Sequence, residues 1–197
     1  MQFTTFVVAA LSMGSAIAGP IAGFKHFDNA VTAVAQAKTV VQEQLATIEI
    51  LVGGVHTAET VTKLQKSLVT VSANVNGLVG PALALVNVKS TLSQVQLSAV
   101  PKFAEDFQGL LISIEAIGKK VTGSNLSQNV IAQIKPELQL VLSTASPVAR
   151  PIISFINVAA PSYVPEFQKV TAILVNIQAL STLVIGPLSG LGLVTIG

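Results

Sequence analysis

Few residues in this 197-residue chain carry side chains that could do chemistry, and their spacing decides what is open to them. His26 and His56 each stand beside the edge of a periodic apolar segment, with no second histidine one helical turn away. They are the chain's two imidazoles that could serve as bases or ligands, and without a second histidine at helical spacing both read better as exposed, incidental side chains. Glu105 and Asp106 are the only adjacent acidic pair. On a helix such neighbours diverge by about 100 degrees, which separates the carboxylates and makes the pair read as a solvated helix start rather than a catalytic dyad. Glu115 and Lys119, one turn apart, read as surface pairing. No Gly-x-Ser-x-Gly pentapeptide occurs, and Gly190-Leu191-Gly192 has no helix after it to receive a dinucleotide phosphate. With Cys 0, thiol catalysis, cysteine-ligated metal and a disulfide framework are excluded. The chain reads as no enzyme, with no cofactor and no metal.

The elements that must hold these side chains are visible as apolar periodicity. Phe27, Val31, Val34, Val41, Leu45, Ile48 and Val52, with Lys38 in the same register, recur every three or four residues. They predict a helix from about Lys25 to Val52, ended by a left-handed cap at Gly53-Gly54. Val61, Leu64, Leu68, Val71, Val75 and Leu78 carry a second helix, with Glu59 and Lys63 paired on its exposed side. Gly80-Pro81 then predicts a kink or a new helix, and the rhythm runs on through Leu85, Val88, Leu92 and Val95 to a boundary near Ser98. Phe103, Phe107, Leu110, Ile114, Ile117 and Val121 mark a further helix closed by Thr122-Gly123. Asn125 and Gln128 have the spacing of a capping box for a segment through Val130, Ile134, Leu138 and Val141, which Pro136 can divide in two. Pro147, Pro151, Pro161 and Pro165 break the chain before a last helix through Phe167, Val170, Leu174, Ile177 and Val184, stopped by Gly186-Pro187. Valine is abundant and favours strands, yet strict alternation is rare, so pattern outweighs propensity. The fold class is all-α, a compact bundle of about five to seven amphipathic helices without disulfides. Ser98 to Phe103 and Ser162 to Phe167 share Ser, Val, Pro and Phe at matching positions, which points to a duplication around 98–122 and 162–186 or to convergence on a generic helix start.

The first eighteen residues read as a signal peptide. Phe6 to Ala18 is uncharged, too short to span a bilayer, and ends in Ala16-Ile17-Ala18 before a Gly19-Pro20 break. Residues 19–187 then form one helical domain and 188–197 an apolar tail, either packed as an irregular arm or mobile. Charged residues make up 10% against about 25% in ordinary soluble domains, so the solvent face is built from Ser, Thr, Asn and Gln. The net charge of +2 and scattered lysines give no phosphate-binding field, and nucleic acid is set aside as a partner. No charge follows Lys169, but polar residues punctuate that stretch, so a buried last helix plus tail is preferred to a membrane anchor. Asn125-Leu126-Ser127 is the single acceptor pattern for N-glycosylation, in a predicted loop.

A secreted, cysteine-free helical chain rich in Ala, Val, Leu, Ser and Thr resembles the fungal hydrophobic surface-binding protein A and cell-wall galactomannoprotein family. The resemblance runs from about Phe27 to Ser181, carried by the amphipathic repeats, the Phe103 to Val121 helix and the Asn125 to Leu142 segment. It implies a secreted, extracellular or wall-associated protein without catalytic activity, which binds lipid such as a fatty acid or sterol between helices, or adsorbs to apolar surfaces. Phe103, Phe107, Leu111, Ile114, Phe155, Phe167 and Leu174 would line such an interior, with a packed core as the competing reading for each. The rival function is a structural wall or host-directed interaction protein with no ligand cavity.

Overall fold

The computed structural model describes the backbone of residues 22–86, 88, 92–160 and 164–189, and the side chains of residues 25–86, 88, 92–160 and 169–184. The expected leader and the 190–197 part of the tail lie outside these residues. The described chain is all helix: α1 (Ala22–Gly53), α2 (Ala58–Asn76), α3 (Val79–Leu85), α4 (Gln94–Thr122), α5 (Gln128–Ala159) and α6 (Val164–Ser189). Gly77 and Leu78, between α2 and α3, keep right-handed helical backbone angles, so α3 continues α2 past a two-residue turn and the bundle has five long rods. Pro81 is the third residue of α3, where a missing N–H costs no helical bond.

The helix ends differ in detail from the sequence pattern. α4 begins at Gln94, not beyond Ser98, because Ser93 and Gln96 form a reciprocal capping box. The Ser98–Phe103 motif therefore lies inside α4. Ser127, and not Asn125, caps α5, accepting from the Val130 amide. Neither Gly53 nor Gly54 has a positive φ, so α1 ends without the left-handed cap.

α5 passes through Pro136, Pro147 and Pro151 as one helix of 32 residues. The reason is the continuity of its buried face, from Val130 through Ile134, Leu138, Val141, Ala145, Val148 and Ile152 to Ile156. The three prolines are spaced by 11 and 4 residues, which puts them on one side of the helix, and Pro136 and Pro147 are exposed. The carbonyls that lose their donors can therefore turn to water. α6 likewise runs past Gly186-Pro187 to Ser189, and the carbonyl that Pro187 leaves without a donor belongs to exposed Leu183.

Two helical hairpins stack side by side. α1 packs on α4 and α2 on α5, while α6 packs on both α4 and α5. α1 and α4 run parallel, since Gln96 donates to Asp28 and Lys38 to Asp106, each pair separated by 68 residues. Burial repeats from one hairpin to the next. Ala30 and Val100, Ala37 and Phe107, Leu64 and Ile134, Leu68 and Leu138, Leu85 and Phe155 are all buried and lie 70 residues apart. Between α4 and α6 the buried pairs Val100 and Val170, Phe107 and Ile177, Ile114 and Val184 keep that shift, which differs from the 64 residues separating the Ser98 and Ser162 motifs.

At the core Phe27, Phe103 and Phe155 meet with ring centroids 5.5 to 6.3 Å apart, joining α1, α4 and α5. Such aromatic contacts add roughly 0.5–1.5 kcal/mol each beyond area burial. Gly118 allows a close approach of α5 and α6, because a Cβ there would stand 3.0 Å from Leu180 Cδ1 and 3.2 Å from Leu142 Cδ2.

Candidate ligand-binding groove

The end of α4, the first turns of α5 and the end of α6 do not close completely on one another. Val121 and Thr122 from α4, Gln128 to Leu138 from α5, and Leu183 and Val184 from α6 enclose a groove of about 320 Å³. Its walls are largely apolar, from Val121, Ile131, Ile134, Leu138, Leu183 and Val184. That volume stands at the small end of the roughly 300–1,000 Å³ usual for ligand pockets. Gln128 and Asn129 stand at the start of α5, and Lys135, only 7% exposed, supplies a cation within the apolar lining.

The residues expected to line an interior site lie deeper in the bundle. Phe103, Phe107, Leu111 and Ile114 on α4 and Phe155 on α5 are buried, and Phe103 and Phe155 belong to the aromatic cluster. Leu174 on α6 is half-buried against the core. The side chain of Phe167 lies outside the described residues. Of the described ones, Phe103, Phe107, Leu111, Ile114, Phe155 and Leu174, none lines the groove. Val121, Ile134, Leu138 and Val184 were visible in sequence as periodic apolar positions, but their convergence depends on how far α6 stands from α5, which no local pattern encodes.

The chemistry-bearing side chains are used between helices. Asp106 is not a solvated helix start: it lies well inside α4, buried, and accepts from Lys38 of α1 at 2.8 Å and from Lys102 at 2.6 Å. Burial pushes the Asp106 carboxyl up, and the hydrogen bonds and charges of Lys102 and Lys38 outweigh it, so the carboxyl sits below its ordinary value. Glu115 is likewise buried, paired with Lys119 and accepting from Asn176 of α6 at 2.9 Å, so the pair is more than surface decoration. His26 is exposed, and His56 is half-buried with Nε2 3.2 Å from the Val52 carbonyl. Among the described residues, no three His, Asp or Glu side chains gather in a way that could hold a metal ion.

A second, more open cleft of about 530 Å³ lies at the hairpin turns, between Glu49, Gly54, His56, Lys119, Lys120 and Asn125. Lys120 is paired there with Glu49 at 3.1 Å, and Asn125 is exposed on the turn between α4 and α5. Its lining mixes opposite charges and two helix C-termini, so it offers no single-signed field.

Comparison with known protein families, with curated proteins and with solved structures finds no match to this chain.

Proposed function

We propose that this chain is a secreted, non-catalytic protein that binds lipid by laying an acyl chain in the α4–α5–α6 groove. The observation that carries the proposal is the groove itself, a surface-open slot with largely apolar walls. An acyl chain gains about 0.8 kcal/mol for each methylene it removes from water, so a short buried stretch already gives useful affinity. The side chains most able to do proton chemistry, Asp106 and Glu115, are committed to lysine and asparagine partners that tie helices together, away from the groove. This supports binding without turnover.

The test is titration of the purified chain with a fluorescent fatty acid, alongside native mass spectrometry of the secreted protein after organic extraction. Saturable binding that weakens at least about tenfold in Leu183→Glu, an exposed groove position, is the expected result. Equal affinity in the variant, or a protein that stays empty across a lipid panel, would favour the structural wall or interaction role instead.

A further inference from the structure

The groove between α4, α5 and α6 opens where α6 runs out. Gly118 of α4 stands against both Leu180 of α6 and Leu142 of α5, so these three residues share one level of the bundle. From that level α6 runs parallel to α4, as the Asn176–Glu115 hydrogen bond requires, and α5 returns in the opposite direction. Leu138 of α5 is therefore level with Val184 of α6, and both line the groove. The groove side of α5 continues from Leu138 back to Gln128, about 15 Å at 1.5 Å per residue. α6 ends at Ser189, about 8 Å past Val184, and so flanks only the nearer half of that stretch. Gln128, Asn129, Ile131 and Ala132 line the farther half.

We propose that residues 190–197, which follow Ser189 directly, seat in this groove as its resident occupant. The segment reads Gly-Leu-Gly-Leu-Val-Thr-Ile-Gly, four aliphatic side chains and no charge, which suits the apolar wall of Ile131, Ile134 and Leu138. Its reach is sufficient in any conformation: eight residues span up to about 27 Å extended and about 12 Å as a helix, against the ~7 Å of α5 that α6 leaves open. Seating it covers Leu183, 58% exposed at the groove's edge, and exposed Ala132. A peptide also brings N–H and C=O groups that an acyl chain lacks, and the exposed amides of Gln128 and Asn129 at the mouth are matched to them. Tethering selects this occupant over a second copy, because a segment joined to the groove's rim is present there at an effective concentration on the order of millimolar. Tail and acyl chain then compete for one slot. That competition rests on the lipid reading of the groove, whereas the seating does not.

Because the chain has no cysteine, a pair of introduced thiols tests the seating without background. Full chain carrying Ala132→Cys with Leu193→Cys is oxidised with glutathione disulfide at about 1 μM and compared with Gln133→Cys plus Leu193→Cys. Gln133 is the next residue along α5, equally within reach of the tail but turned about 100° away, with its carbonyl accepting from Gln65 of α2. The expected result is an intramolecular disulfide that forms at least about tenfold faster for the Ala132 pair, with far-UV circular dichroism unchanged. Equal rates would overturn the proposal, as would a disulfide that links two chains and grows with concentration, which would give the groove to a second copy. The competition is read separately, by titrating a fluorescent fatty acid into the full chain and into the chain cut after Ser189. Binding at least about tenfold tighter without the tail is expected, and equal binding would overturn the tail as a competitor. A fast Ala132 disulfide in a protein that binds no fatty acid in either form would uphold the seating and sink the lipid reading.

Discussion

Asp106 concentrates much of what a single residue does for this fold. Its carboxylate joins α4 to α1 through Lys38, and Lys102 one turn back shares the same oxygen. Asp106→Asn should cost about 1–3 kcal/mol in urea unfolding near neutral pH, since it removes a buried charged acceptor and leaves Lys38 facing a neutral amide. The pH dependence has a definite sign. The folded carboxyl titrates below its ordinary value of 3.8, so the folded state binds fewer protons than the unfolded one as pH drops. Its contribution is fully present above that ordinary value and disappears as pH falls through the lower folded one. Stability curves of the parent chain and Asp106→Asn should therefore converge at acid pH, and curves that stay parallel would remove Asp106 as the cause. In sequence, the neighbouring Glu105 makes Asp106 look like half of an exposed pair. The better signal was Lys38, a cation standing in register with Phe27, Val34 and Val41 on an apolar face. A lysine there needs a partner, but nothing local says that the partner is 68 residues away.

The helices obey the three-and-four spacing closely enough that their number, their all-α class and most of their buried positions can be read from it. What could not be read is where proline stops a helix and where it does not. A proline removes one hydrogen bond and clashes with the preceding turn, at a cost of about 3 kcal/mol in a helix interior, while a long apolar face buried on three neighbours offsets more than that. α5 keeps its prolines on one side and its core contacts on the other. Replacing Pro136 or Pro147 by alanine should thus raise stability by about 1 kcal/mol or more, read as an increase in the thermal midpoint, because each change restores a bond without disturbing the core. Gly118 is the opposite case. Gly118→Ala should change stability by less than about 1 kcal/mol, since the helical gain is set against crowding of the Leu180 and Leu142 side-chain tips. Gly118→Leu should cost about 2–3 kcal/mol and push α6 outward. The groove depends on that same spacing, so the sequence marked Val121, Ile134, Leu138 and Val184 only as apolar helix positions and pointed for the site to Phe103, Phe107, Leu111, Ile114 and Phe155, which are buried in the core.

Taken as a whole, the molecule has few charges to screen. Among its ion pairs, those of Lys63 with Glu59 and Lys120 with Glu49 are exposed, and such pairs contribute little. Raising sodium chloride from about 0.05 to 0.5 M should therefore move the thermal midpoint by no more than about 2 °C, and a larger fall would assign the ion pairs a greater part in stability than their exposure allows. The parallel stacking of the two hairpins bears on how the chain reaches this state. Within each hairpin the partners are neighbours across a short turn, but the hydrogen bonds between hairpins, Asp28 with Gln96, Lys38 with Asp106 and Gln65 with Gln133, each close a loop of 68 residues, and the Lys120–Glu49 pair closes a similarly long one. Closing such loops costs entropy that only the completed interface returns. The expected order of assembly is that α1–α2 and α4–α5 form early as separate units and dock in register late, which pulsed hydrogen exchange would read as protection within each hairpin before protection between them. The ties between hairpins then decide whether a meeting of the two units lasts.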